Sequence, residues 1–425
     1  MTGTKVHPFL FRAAIAAALA CVALASPAAA RVVAGTGWVS SWASSQIPVD
    51  PKDALAPQQT NDVTLRQLVR LSIGGSHVRI RLSNAMGTGP LAISGVSIAR
   101  ALSRNSSRID PSTIRKVTFA GADVLVIPAG AEYVSDRIEL PIAALATLAV
   151  SIHLADLPKL QTGHPGSRAT SYFAPGDQRT ALELRGAGTV DHWYFLSGAD
   201  VEPEAPSSAI AIVGDSITDG HGVISNSDTR WTDTLAERLR TSPATRALAV
   251  LNLGIGSNCL AEACVGPSAV ARLQRDVLAR NHVRYLIILE GVNDLGTLTR
   301  EAPVSGQAHR ALVQRMIGAL AQMRAQAREW GIKVIAGTIL PYGGSAYYHP
   351  DAANEADRRA VNGWIRTPGN VDALVDFDAL MRDPAQPHRL RKEYDSGDGL
   401  HPSAAGYRFM GEVVPLALFT IGARR

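Results

Sequence analysis

Hydrophobic positions in the second half of the chain come in short, nearly continuous runs. Ala209–Val213, Ala247–Leu253, Tyr285–Glu290, Lys333–Ile339 and Leu374–Phe377 are four to seven residues each, the pattern of strands buried on both faces. Between and after them lie Trp231–Leu239, Ser268–Arg280, Gln307–Trp330, Ala352–Ile365 and Ser403–Leu418, where apolar residues fall at helical spacing. Five strands alternating with helices predict a parallel sheet with helices on both faces. Such sheets bind ligands just beyond the carboxyl ends of their strands.

The first half has a different rhythm. Val63–Ser72, His77–Ser83, Leu91–Ala99, Lys116–Phe119, Asp123–Ile127 and Leu148–Leu154 are short, β-branched and partly alternating. His77–Ser83 alternates apolar and polar residues almost without a break, as a half-buried strand does. Turn clusters such as Asn84–Pro90 separate these segments, so a sandwich or jelly roll is expected. Val201–Ser208 is polar and carries prolines, a linker candidate. A chain of 425 residues exceeds one ordinary core. The expected division is an all-β accessory domain over 31–200 and an α/β domain over 205–425.

Residues 1–30 fall outside both. Lys5 and Arg12 precede an apolar run, Ala13–Ala25, and Ser26–Ala30 supplies small residues. That is a signal-peptide pattern with cleavage after Ala30. The run is 13 residues, short of the roughly 20 that span a bilayer, so a retained anchor is the lesser alternative. Cys21 follows Ala18-Leu19-Ala20, which lacks the large apolar first residue of a lipoprotein signal. No other segment is long and apolar enough to cross a membrane. A secreted or periplasmic protein without stable membrane insertion is expected. The formal charge of +5 is mild and no basic block occurs, so no nucleic-acid partner is expected. Cys259 and Cys264 are the two cysteines left after cleavage. In an oxidising compartment the pair is expected to be bridged, with two free thiols as the alternative. No HExxH and no paired CxxC occurs, and neither a metal nor an organic cofactor is expected.

The candidate chemistry sits at strand ends. Gly214-Asp215-Ser216 closes the first run, and Asp398-Gly399-Leu400-His401-Pro402 precedes the last helix. A serine hydroxyl is a poor nucleophile without a base. An imidazole base needs a carboxylate to fix its tautomer. Asp398 and His401, three residues apart across a turn, suit those roles. Pro402 suits the first position of the helix. The backbone N–H groups of Ser216 and Gly256 and the side-chain amide of Asn293 are candidate oxyanion donors. Each has a plainer reading: a helix cap for Ser216, a turn former for Asn293, a tight turn for Gly256. No GxSxG elbow occurs, which argues against an ordinary α/β-hydrolase.

Residues 205–425 resemble the SGNH (GDSL-type) hydrolases. The first block is matched by Gly214-Asp215-Ser216, the second-block glycine by Gly256, the third block by Gly291-Val292-Asn293-Asp294, and the fifth by Asp398 and His401. Gly266–Arg272, Glu290–Asp294 and Tyr394–Pro402 are also similar to a xylanase-esterase-like subgroup. The resemblance implies a flavodoxin-like three-layer hydrolase domain with a five-stranded parallel sheet. It further implies a Ser216–His401–Asp398 triad, an oxyanion hole at Ser216, Gly256 and Asn293, and an acyl-enzyme route without cofactor. The expected activity is a serine esterase acting on carboxylic esters, first of all short acyl (acetyl) groups on carbohydrates. The alternatives are a broad lipase, lysophospholipase or thioesterase, and, in another class, a glycan-binding protein without catalysis. Tyr347 and Tyr348 are candidate substrate-binding residues, able to stack on a sugar or cover an acyl chain. Asp215 and Asp219 read as turn holders, and His221 and His349 as surface histidines.

Overall fold

The computed structural model describes residues 1–3, 37–56 and 61–419. The signal segment expected at 1–30, its cleavage site and Cys21 fall almost wholly outside the described residues. Among the described residues no helix is long and apolar enough to cross a membrane.

The α/β half is organised as its hydrophobic runs require. Five parallel strands stand in the order Leu248–Gly254, Ser208–Gly214, Val283–Leu289, Lys333–Gly337, Ala373–Val375. The first strand in sequence is therefore second in space, the flavodoxin-like order. Ser208–Gly214 is buried at every position, because strands flank it on both sides and the strand Val39–Ala43 of the β half and the turn Ser216–Asp219 pack against it. From this strand the chain adds one strand on one side and the later three on the other, and where that order switches the ends of the first three strands open a crevice. Gly214 is level with Gly254 on one side and Leu289 on the other.

The β half is antiparallel. Val39–Ala43, Leu196–Glu202, Gly75–Ser83 and Glu132–Val134 form one sheet, with Ile138–Ile142 paired to Gly75–Ser83. A larger sheet runs Gly188–Val190, Ser171–Pro175, Val63–Arg70, Thr147–Asp156, Leu91–Arg100, Arg115–Val117, with Leu125–Ile127 off its path. A third joins Trp193–Tyr194, Thr162–His164 and Ile47–Pro48. Strand Gly75–Ser83 buries Val78, Ile80 and Leu82 as its alternation requires. Its polar side is covered as well. Arg79 and Arg81 reach Asp200 at 2.9 and 3.1 Å, and Asn281 of the α/β half donates to the same carboxylate at 2.7 Å.

The described residues from 37 onward form one compact unit, and one hydrophobic cluster contains Val39 and Ile80 together with Leu251, Leu286 and Met410. Several element ends differ from expectation. The stretch Ser268–Arg280 is an α-helix only over Ala269–Leu273 and widens into a π-helical turn at Gln274–Leu278. The last helix stops at Val413 because Pro415 cannot continue it. Leu374–Phe377 is a strand only to Val375; Asp376 then caps a helix over Phe377–Met381. Pro402 is not the first helical residue. Ser403 is the cap, accepting from Gly406 N–H at 3.1 Å, and the helix begins at Ala404.

Candidate active site

Ser216 leaves the first parallel strand at the start of a single helical turn, Ser216–Asp219. Asp215 caps that turn, its carboxylate accepting from Ile217 N–H at 2.9 Å, and Gly220 ends it with a left-handed φ of 95°. The Ser216 N–H thus belongs to the first turn, where backbone donors have no partner inside the helix. Ser216 Oγ lies 2.9 Å from His401 Nε2. His401 Nδ1 lies 2.6 Å from Asp398 Oδ2. Asp398 Oδ1 accepts from the backbone N–H of His401 at 2.8 Å and of Leu400 at 2.9 Å. Burial alone would raise the Asp398 carboxyl, but these hydrogen bonds outweigh it and hold it down at about 2.

The loop that carries this pair is tightly seated. Asp395 accepts from Gly397 and Gly399 N–H at 2.7 and 3.0 Å. Gly399 has φ 70°, and a Cβ there would stand 2.2 Å from the carbonyl carbon of Gly344. Only glycine fits that approach.

Asn293 is buried, in a helix over Val292–Thr299 rather than in a simple turn. Its Nδ2 donates to Asn258 O at 2.6 Å, and its Oδ1 accepts from the Tyr348 hydroxyl at 2.6 Å. Those two bonds fix which way the amide faces. Gly256 N–H donates to Asp219 Oδ2 at 3.2 Å, so this candidate oxyanion donor is already occupied. The loop after Gly256 is held from several sides. Cys259 and Cys264 are bridged, with Cα atoms 5.6 Å apart. Asp294 accepts from Leu260 and Ala261 N–H at 2.7 and 3.0 Å.

The two tyrosines have separate places. Tyr348 is buried on Asn293, whereas Tyr347 is 57% exposed and pairs with Arg300, whose Nη1 donates to its hydroxyl at 2.7 Å. His221 is not an isolated surface histidine. Its ring stacks on His401 with centroids 4.0 Å apart. Burial, then the neighbouring His401, lowers its basicity. Among the described residues, His221, Asp398 and His401 are the one group of three such side chains whose ligand atoms converge, within 4.8 Å.

Two residues that sequence reasoning missed tie this site to the β half. His164 has Nδ1 2.9 Å from Ser45 O and Nε2 2.9 Å from Asp219 Oδ1. Burial would raise Asp219, but His164 outweighs it and holds the carboxyl below its ordinary value. Arg272 is fully buried and donates to Ser45 Oγ at 2.8 Å, Leu253 O at 2.7 Å and Gly214 O at 3.2 Å. Its location in an amphipathic helix gave no hint of this. Around it burial pushes carboxyls up: Asp215 to about 7, Asp294 to about 6, and Glu290 well above its usual range.

Residues 212–409 match the model of the GDSL-like Lipase/Acylhydrolase family. This part of the chain is a domain of that family, and the enzyme class is carboxylic ester hydrolase. No curated protein matches the chain. Similar solved structures include a GDSL-like lipase from Bacteroides thetaiotaomicron, 20% identical, covering 50% of this chain and 87% of its own, TM-score 0.37. Another is an acetyl xylan esterase variant from Geobacillus stearothermophilus, 19% identical, covering 50% and 95%, TM-score 0.35.

Proposed function

We propose that the protein is an exported serine esterase with Ser216 as nucleophile, His401 as base and Asp398 as orienter. The observation that carries this reading is the relay Ser216 Oγ–His401 Nε2 at 2.9 Å and His401 Nδ1–Asp398 at 2.6 Å. Its members come from opposite ends of the domain, and an accidental cap would not require both contacts. In this reading, neutral His401 takes the Ser216 proton as the hydroxyl attacks the ester carbonyl. The tetrahedral oxyanion is held by the Ser216 N–H and the Asn293 amide. Gly256 N–H joins them by sharing or releasing Asp219. His401 then protonates the departing alcohol, water repeats the sequence on the acyl-enzyme, and the acid leaves.

The substrate we propose is a short acyl ester, first an acetyl group, on a carbohydrate. The sequence likeness to the xylanase-esterase-like subgroup supports it. The cleft beside Gly256 has a mixed lining, Asp50, Lys52, Asp53 and Arg168 beside Ile47, Val49, Leu160 and Val265, and its charged part suits a hydrophilic alcohol. Export is supported by the signal pattern before Ala30 and by the bridged Cys259–Cys264 pair. A division near residues 200–205 into a β accessory part and a catalytic part follows the change of sheet type. The test is hydrolysis of esters from acetyl to long acyl beside acetylated oligosaccharides, with Ser216→Ala as blank. Acetate release from the glycans is expected. Good cleavage of long-chain lipids with none of the acetylated glycans would overturn the carbohydrate reading.

A further inference from the structure

A cleft of about 590 Å³ opens beside Gly256 and Ser257, and its other wall comes from the β half. Arg168 stands on that wall. Its backbone has φ 49°, a left-handed conformation that a side-chain-bearing residue adopts at a cost. The surrounding structure enforces it. Arg168 O accepts from Asn226 N–H at 2.9 Å, and Thr170 N–H donates to Asn226 Oδ1 at 2.8 Å. Arg230 donates to Ser167 O. Gly166 lies against the Asp219 carboxylate so closely that a Cβ would stand 1.8 Å from Oδ2. The α/β half therefore clamps this loop on both sides of Arg168.

The clamped guanidinium has unmet demand. Among the described residues, Arg168 Nε is buried and has no hydrogen-bond partner. The carboxylates lining the same cleft are engaged elsewhere. Asp219 holds His164 and Gly256 N–H. Asp53 faces His192 at 3.7 Å. Asp50 accepts from Lys52 N–H at 3.0 Å. The guanidinium is near enough to bear on the Asp219 carboxylate and on His221, whose ring stacks on His401. A strained loop that holds, beside Gly256, a cation without an ion-pair partner among the described residues suits a recognition role.

We propose that Arg168 binds a carboxylate on the substrate, so that the preferred esters are anionic: an acylated acidic sugar, with the charge on the alcohol side, or a half-ester of a dicarboxylic acid, with the charge on the acyl side. This rests on the esterase reading above and names its substrate class. Arg168 is a specificity residue that takes no part in proton transfer.

The test compares charged and neutral partners of similar shape. On the alcohol side these are 4-acetoxybenzoate and 4-acetoxybenzamide; on the acyl side, mono-4-nitrophenyl succinate and 4-nitrophenyl butyrate. The wild-type protein is expected to favour the charged member of one pair in kcat/KM, and the pair identifies the side. In Arg168→Gln that charged-to-neutral ratio is expected to fall about 10- to 100-fold, the worth of a hydrogen bond to a charged group. Arg168→Lys should keep part of it. A purely structural arginine would lower both members alike and leave the ratio unmoved, which would overturn the proposal. A wild-type preference for the neutral member of both pairs would do so too. Should the variants not fold, benzoate and benzamide are compared as inhibitors of 4-nitrophenyl butyrate hydrolysis by the unaltered protein. Stronger inhibition by benzoate is expected, and equal inhibition overturns the proposal. If the wild type cleaves none of the four esters, the esterase reading fails first, a result separate from a lost charge preference.

Discussion

At the scale of single residues the sharpest expectation concerns Ser216. Ser216→Ala should lower kcat by at least roughly 10⁴-fold while leaving the melting temperature near the wild-type value, because the capping bond of this turn comes from Asp215. Tyr348 offers a subtler case. Its hydroxyl holds Asn293 Oδ1, so Tyr348→Phe removes one of the two bonds that orient the amide proposed to hold the oxyanion. A loss of about tenfold in kcat is expected, with KM moving much less; equal activity of Tyr348→Phe and wild type would count against the role of the amide. The positions of Ser216, Asn293, Asp398 and His401 were legible in the sequence because each lies in a local motif at a strand end or before a helix. The partners of these side chains were not. Nothing adjacent in the sequence relates Tyr348 to Asn293, His164 to Asp219 or His221 to the His401 ring, since each pair meets only through the fold.

At the scale of elements, the loop from Gly256 to Ser268 is a scaffold for the side of the site where the oxyanion is proposed to sit. Asn258 O holds Asn293 Nδ2, and Asn258 Nδ2 donates to Val265 O and Pro267 O at 2.8 and 2.9 Å. The disulfide closes that same segment. Replacing both Cys259 and Cys264 by serine should cost about 2 kcal/mol in the chain-entropy model and should also reduce kcat. Chemical denaturation and steady-state kinetics of the double variant check the two effects. An unchanged kcat would show that Asn258 holds its place without the bridge. The strands of the parallel sheet were readable to within a residue or two because burial in the middle of the sheet leaves a nearly continuous apolar run. Helix ends were less so. The break before Pro415 had a local cause in plain view, whereas the π-helical turn at Gln274–Leu278 surrounds Asp276, which pairs with Arg272 and Arg275, a tertiary demand that periodicity does not carry.

For the whole molecule, the shared core and the bonds of Ser45 and His164 across the two halves lead to a definite expectation. Residues 205–425 expressed alone should fail to fold, because Leu251 and Leu286 lose part of their cover and Arg272 and Asp219 lose partners. Circular dichroism and proteolysis of that fragment test this; a cooperative melt would refute it. The buried acids set a second expectation. Asp215 is at about 7 and Asp294 at about 6 in the folded state, above their ordinary 3.8. Between roughly pH 4 and 7 the folded chain thus binds more protons than the unfolded one, and stability falls as pH rises, by up to about 1.4 kcal/mol per pH unit for each such group. Asp398 acts the other way, its contribution being lost as pH falls below 4 toward 2. Asp215→Asn should flatten the slope between pH 4 and 7 in urea titrations; an unaltered slope would remove Asp215 as its source. The architecture of each half was legible from periodicity, but their union was not, because the polar seam of Asp200, Asn281, Ser45 and Arg272 looks like ordinary surface in a linear reading. The His164–Asp219–Gly256 series lies in that seam. It makes the two halves co-inherited property: a chimera that grafts a foreign β half onto this hydrolase must also import a histidine at the same spot, or the Gly256 loop starts out mis-set.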